Sequence, residues 1–130
     1  MTYRYLPPTL PKLPRTAGLT VVEIDGWQRR GRPSYTGGFD PVGVLWHDTG
    51  GAPGGLAYAK WLACDGRSDL PAPLSHLSIG RDGAVYVCSA GRANHAGVAR
   101  PSPSVAGGDG NVLYIGVEVQ NTGSEGWKPA

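Results

Sequence analysis

Val42-Gly43-Val44-Leu45-Trp46-His47-Asp48-Thr49-Gly50 is the stretch whose reading decides the fold. Val42, Val44 and Leu45 favour a pleated, buried strand. Asp48, Thr49, Gly50 and Gly51 end it, because glycine supplies turn dihedrals and short polar side chains compete for backbone hydrogen bonds. His47 is therefore expected at the exit of a core strand, held by rigid backbone beside open loops. Imidazole is the commonest metal ligand and the side chain titrating nearest neutrality, so the position suits a metal ligand or a catalytic base. A hydrogen-bonded structural histidine would satisfy the same local pattern.

A second stretch of matching character shifts the balance. Leu113-Tyr114-Ile115-Gly116-Val117-Glu118-Val119-Gln120-Asn121-Thr122-Gly123 places an acid, Glu118, inside an apolar strand. An ionised carboxylate buried in a strand is costly unless it is paired or used. Functional sites are where such perturbed acids collect.

Composition bounds the answer. The 130 residues make one domain, and 40% apolar content is enough for one core. Gly 21 and Pro 12 together form about a quarter of the chain, scattered among strand-like runs, which indicates a loop-rich globular domain. A net charge of +2, from 12 Lys+Arg against 10 Asp+Glu, gives no basis for a nucleic-acid partner, and basic residues cluster only at Arg29-Arg30-Gly31-Arg32. Cys64 and Cys88 lack Cys-x-x-Cys spacing and read as two free buried thiols, with a disulfide between them as the alternative. No stretch approaches the roughly 20 apolar residues of a membrane span, and the N-terminus carries no secretory signal. The expected site of synthesis is a cytoplasm, with release to any external target by other means.

Taken in order, residues 1–18 hold prolines at 7, 8, 11 and 14 and read as an extended arm. Residues 19–130 form the domain. Leu19–Ile24 reads as a strand, Trp27–Gly38 as a long polar loop, and Phe39–Trp46 as the second strand. Gly50–Gly55 is a turn, and Leu56–Cys64 is the best helix, with Leu56, Ala59 and Ala63 on one face. Arg67–Pro73 reads as a loop. Leu74–Ile79 and Ala84–Cys88 flank Gly80-Arg81-Asp82-Gly83, and an Asp-Gly turn between apolar runs is a strong hairpin signal. Gly91–Gly97 is a polar loop around His95, Val98–Asn111 a mobile loop, and Leu113–Gln120 the last strand. At least five strands and one helix indicate a mixed α/β or α+β sheet domain.

The motifs occur in a telling order: Val44-Leu45-Trp46-His47-Asp48-Thr49-Gly50, then Ser75-His76-Leu77-Ser78-Ile79-Gly80-Arg81-Asp82-Gly83-Ala84-Val85-Tyr86, then Arg92-Ala93-Asn94-His95-Ala96-Gly97, then Ile115-Gly116-Val117-Glu118-Val119-Gln120-Asn121-Thr122-Gly123. The series resembles the zinc-dependent N-acetylmuramoyl-L-alanine amidases of type 2, related to peptidoglycan recognition proteins, and within them the amidase domains of endolysins from phages of actinobacteria. It covers residues from about 40 to 123 and so resembles the N-terminal portion of such a domain. The resemblance implies a mixed central β-sheet flanked by helices, with zinc in a groove on one face. It makes His47 the first zinc ligand and Glu118 the general base. A second branch uses a tyrosine just before the hairpin histidine, where this chain has Ser75. His95 matches a groove histidine facing substrate, and Asn94 and Thr49 line the same groove. His76 is expected to be a structural or an exposed strand residue. The implied reaction cleaves the amide between the lactyl group of N-acetylmuramic acid and L-alanine, in cell-wall lysis.

In that family a second and third zinc ligand follow the Glu118 strand, and nothing after His95 in this sequence is a histidine. The resemblance thus implies a domain whose C-terminal part is missing, or one completed by a second chain, or a product that is not a working amidase. An uncovered apolar sheet face is the expected consequence. The competing reading is a non-catalytic peptidoglycan- or partner-binding domain that keeps the groove without a complete zinc site.

Overall fold

The structure, a computed structural model, describes residues 4–32, 38–52 and 54–127. Residues 33–37 of the expected basic loop and residue 53 of the expected turn lie outside them. Five strands form the central sheet: β1 (Val21–Glu23), β2 (Gly43–Asp48), β3 (Leu77–Ile79), β4 (Val85–Val87) and β5 (Tyr114–Val119). Their order is β1-β4-β3-β5-β2. Only β3 and β4 run antiparallel, as the hairpin; the other three pairings are parallel. This is the expected α/β fold with a mixed sheet.

The hairpin follows from its turn. Gly83 adopts a positive φ of 81°, and Asp82 Oδ1 accepts from the Ala84 N–H at 3.1 Å. The strand read from Phe39 begins instead at Gly43 and runs through His47 to Asp48, because Tyr114–Val119 pairs with it residue for residue. Phe39 is fully buried ahead of the strand, against His76.

Helix α1 (Lys12–Thr16) and helix α2 (Gly55–Lys60) lie on the chain ahead of and after β2. A wider π turn, Trp61–Asp65, continues α2 over the expected helical stretch. Ala59 and Ala63 pack on Ile24, Ala84, Tyr86 and Cys88, and small side chains there let the helix approach the sheet closely. On the opposite face, Trp27, Val87 and Ala90 form a second cluster, covered by Leu6, Leu10, Val21 and Leu77. The proline-rich arm is therefore packed, with the Leu6 N–H donating to Ala90 O at 2.7 Å. Its prolines permit α1, since Pro11 precedes the helix at φ −68° and proline is compatible with a first helical turn.

Two stretches read as loops carry short antiparallel pairs: Gly66–Arg67 with Leu70–Pro71, and Val98–Ala99 with Gly108–Asp109. A one-turn helix α3 (Gly110–Leu113) precedes β5. Both pairs are too short for alternation to reveal them. Cys88 is buried, but Cys64 is exposed, correcting the expectation of two buried thiols. Cys64 falls on the solvent side of the turn whose Leu62 and Ala63 face inward. Among the described residues no helix is long and apolar enough to cross a membrane.

Candidate active site

Register places the key side chains. In parallel pairing, His47 stands beside Glu118, and Glu118 beside Ser78. Residues paired this way share a face, and alternate residues along a strand point to opposite faces. The inner face of β2 thus carries Gly43, Leu45 and His47, all partly buried, whereas Val44 and Trp46 point outward and are exposed, and Asp48, exposed at the strand end, reaches the groove. Helix α2 rises from the inner face and bounds a groove of ≈ 410 Å³, a size suited to a small ligand group. Tyr58, Trp61, Asn94, His95, Thr49 and Glu118 line it.

The three histidines have separate environments. His76 is fully buried. Its ring stacks on Phe39, with centroids 4.9 Å apart, and its Nδ1 accepts the Gly116 N–H at 2.9 Å. Burial, with His95 nearby, holds it neutral with a pKa of about 3. Of the two expected alternatives, structural or exposed, His76 is therefore the structural one. His95 is nearly buried, and burial lowers its pKa to about 4 against the opposing pull of the Tyr114 carbonyl. Its Nε2 lies 2.9 Å from Tyr114 O, which can only accept, so the proton is assigned to Nε2 and the lone pair to Nδ1. That Nδ1 faces His47 Nε2 at 3.4 Å. Burial also lowers the His47 pKa, opposed by Asp48.

Glu118 is pushed up to about 7, first by burial and then by the Asp48 carboxylate. A carboxyl poised near neutrality can take a proton and return it, as a general base must. Tyr58 lies close enough for the Glu118 charge, after burial, to raise its hydroxyl's pKa.

The surrounding loops are tied to the sheet. Asn111 Oδ1 accepts from the His95 and Ala96 N–H groups at 2.7 and 2.8 Å, and Asp109 caps α3 while pairing with buried Arg92. Gln120 Oε1 accepts from Gly54 and Gly55 at 3.1 and 2.7 Å, serving the otherwise unpartnered N–H groups where α2 begins. Asn94 and Thr49 reach the groove, but their side chains are also engaged in backbone bonds. Asn94 Nδ2 donates to Pro71 O at 2.7 Å, and Thr49 Oγ1 donates to Asn121 O at 3.1 Å. Sequence reading missed Tyr58, Trp61, Gln120 and Gly116. A pair of aromatics three apart on the expected helix was the available signal for the first two.

Zinc, the metal implied by the resemblance, can be tested against these donors. His47 Nε2 lies 3.4 Å from Nδ1 of the groove residue His95, and a neutral imidazole nitrogen is of the kind zinc takes. Among the described residues no cluster of three or more His, Cys, Asp and Glu side chains converges on one point. The donors fit a ligand role at His47 without forming a closed three-ligand cage.

Residues 37–130 match the profile of N-acetylmuramoyl-L-alanine amidases, and the chain belongs to that family of peptidoglycan-acting amidases. No curated protein and no solved structure matches the chain.

Proposed function

We propose that the chain hydrolyses the amide between N-acetylmuramic acid and the L-alanine of the stem peptide, as an endolysin-type enzyme of cell-wall lysis acting after release from the cytoplasm. The observation that carries this reading is the register pairing of His47 with Glu118, which lines the groove together with His95. The phage origin rests on the ordered motifs.

His47 is assigned as a zinc ligand and Glu118 as the general base. Zinc, when bound, polarises the scissile carbonyl and eases proton loss from the attacking water. Glu118 takes that proton and delivers it to the leaving nitrogen of L-alanine. Rigid parallel backbone keeps the carboxyl and the imidazole in register, so little reorganisation is needed between the two transfers. The Tyr58 and Trp61 rings, 5.3 Å apart by centroid, offer an apolar wall for substrate.

The test is to incubate the chain and zinc with purified peptidoglycan and analyse the products by mass spectrometry. Stem peptides with free N-terminal alanine are expected, beside glycan with intact lactyl groups. Binding to peptidoglycan without such peptides would support the non-catalytic reading instead.

A further inference from the structure

We infer that Gln120 is a positioning residue for the groove: its buried amide latches the helical wall that carries Tyr58 and Trp61 to the strand that carries Glu118, and so governs how substrate is held. This deepens the proposed amidase function and rests on that reading.

Three observations converge. The first is the latch itself. Gln120 is fully buried, and its backbone N–H donates to Ile79 O at 2.8 Å, carrying the sheet on past the end of β5. Its Oε1 accepts from the Gly54 and Gly55 N–H groups at 3.1 and 2.7 Å. Its Nε2 donates to Gly55 O at 2.9 Å and to Ser78 Oγ at 3.3 Å. A side-chain amide has two donor hydrogens and two acceptor lone pairs, so this one is fully used. Two donors face the oxygen and two acceptors face the nitrogen, which fixes the orientation of the amide.

The second is what the latch holds. The turn into α2 does not fix its own path. Gly50 and Gly55 adopt positive φ of 61° and 56°, and glycine leaves a turn free to take other courses. The residue before the helix is Gly54, which has no side chain to cap it. The start of α2 is therefore set from outside, by Gln120. Further along, Ala59 and Ala63 seat the helical stretch on the sheet. Tyr58 and Trp61 line the groove from the segment between these two anchors.

The third is what the latch does not hold. Glu118 is placed by backbone pairing on both sides, with His47 on β2 and Ser78 on β3. Removing the Gln120 amide frees the aromatic wall and leaves the carboxyl where it is. The consequence is weaker substrate binding with the chemical step intact, which appears as a raised KM at unchanged kcat.

The experiment uses the full 130-residue chain and a soluble probe, an N-acetylmuramoyl-L-alanyl peptide. Q120M keeps the shape of the side chain and removes its hydrogen bonds. It is expected to raise KM about 10-fold, short of the about 10²-fold that a 1 Å misplacement can cost, while kcat stays within about twofold. Folded Q120M with the wild-type KM overturns the inference and leaves the amidase reading standing, as does a loss confined to kcat. A wild-type chain that does not cleave the probe sinks the amidase reading, and the dissociation constant for the same probe then decides. Affinity about 10-fold weaker in Q120M sustains the latch, whereas equal affinity, or no binding by either chain, overturns it. Should Q120M fail to fold, hydrogen exchange in the unmutated chain is the test. The Gly54 and Gly55 N–H groups should be protected, and exchange at the rate of a free loop overturns the inference.

Discussion

The two faces of strand β2 are written by the same six residues and have opposite fates. The inner set, Gly43, Leu45 and His47, is partly buried beside Glu118 and His95. The outer set includes Val44 and Trp46, 50% and 62% exposed, and Trp46 lines a surface hollow with Ile79, Val119 and Trp127, itself 65% exposed. Strand alternation makes this possible, since a period of two lets one segment carry a polar site and an apolar surface without conflict. The difference teaches that burial does not mark function here by hydrophobicity. The face with the histidines and the acid is the protected one, and the face with the large apolar residues is open.

That contrast can be broken at several points. The largest effect is expected at His47. H47A should lose measurable peptidoglycan hydrolysis while melting with the wild type, because it removes a proposed ligand from a half-buried position without touching a core cluster. Calorimetry beside the activity assay checks this, and full activity in H47A would remove the inner face from the mechanism.

Acid should act next, through the buried histidines. Their folded pKa values of about 3 for His76 and about 4 for His95 lie below the ordinary value of 6.5. The unfolded chain therefore binds more protons than the folded one below pH 6.5. Their stabilising contribution is complete above pH 6.5 and is lost as pH falls toward 4 and then 3. Each histidine should contribute a slope of about 1.4 kcal/mol per pH unit within its window. Denaturant melts across that range in metal-free buffer would show it, and flat stability would contradict the burial of both rings.

Gly116→Ala tests the close approach behind the site. The added methyl meets the His95 ring, and such overpacking costs about 1–3 kcal/mol. Stability measured by urea unfolding should fall by that amount. The smallest effect is expected on the outer face, where W46K should change stability by no more than about 0.5 kcal/mol, as exposed substitutions generally do. A larger loss would mean that Trp46 is packed in solution.

Much of this was legible from local pattern. The β-favouring run at 42–46, the Asp-Gly turn at 82–83 and the alanine face of 56–64 each act between near neighbours, and each produced its element, although the first is an edge strand with Val42 and Val44 exposed and not the buried core strand expected. The acid within 113–120 stood out because a carboxylate is out of place in an apolar run. What could not be read depends on partners far along the chain. Gln120 holds the start of α2 from 65 and 66 residues away, and Gly116 matters because a ring from another loop lies on it. Neither residue carries a local signal of its role. The same holds for His47 and His95, whose 3.4 Å approach spans 48 residues.

The most direct test of the account is the pH dependence of peptidoglycan hydrolysis in wild type and E118Q, with thermal melts alongside. Glu118 must be ionised to act as base, and its pKa of about 7 means the wild-type rate should rise as pH passes upward through 7. In E118Q the rate should fall by about 10²–10⁴-fold, with that rising limb gone and the melt preserved. A folded E118Q with the wild-type rate and the wild-type limb would contradict the central claim.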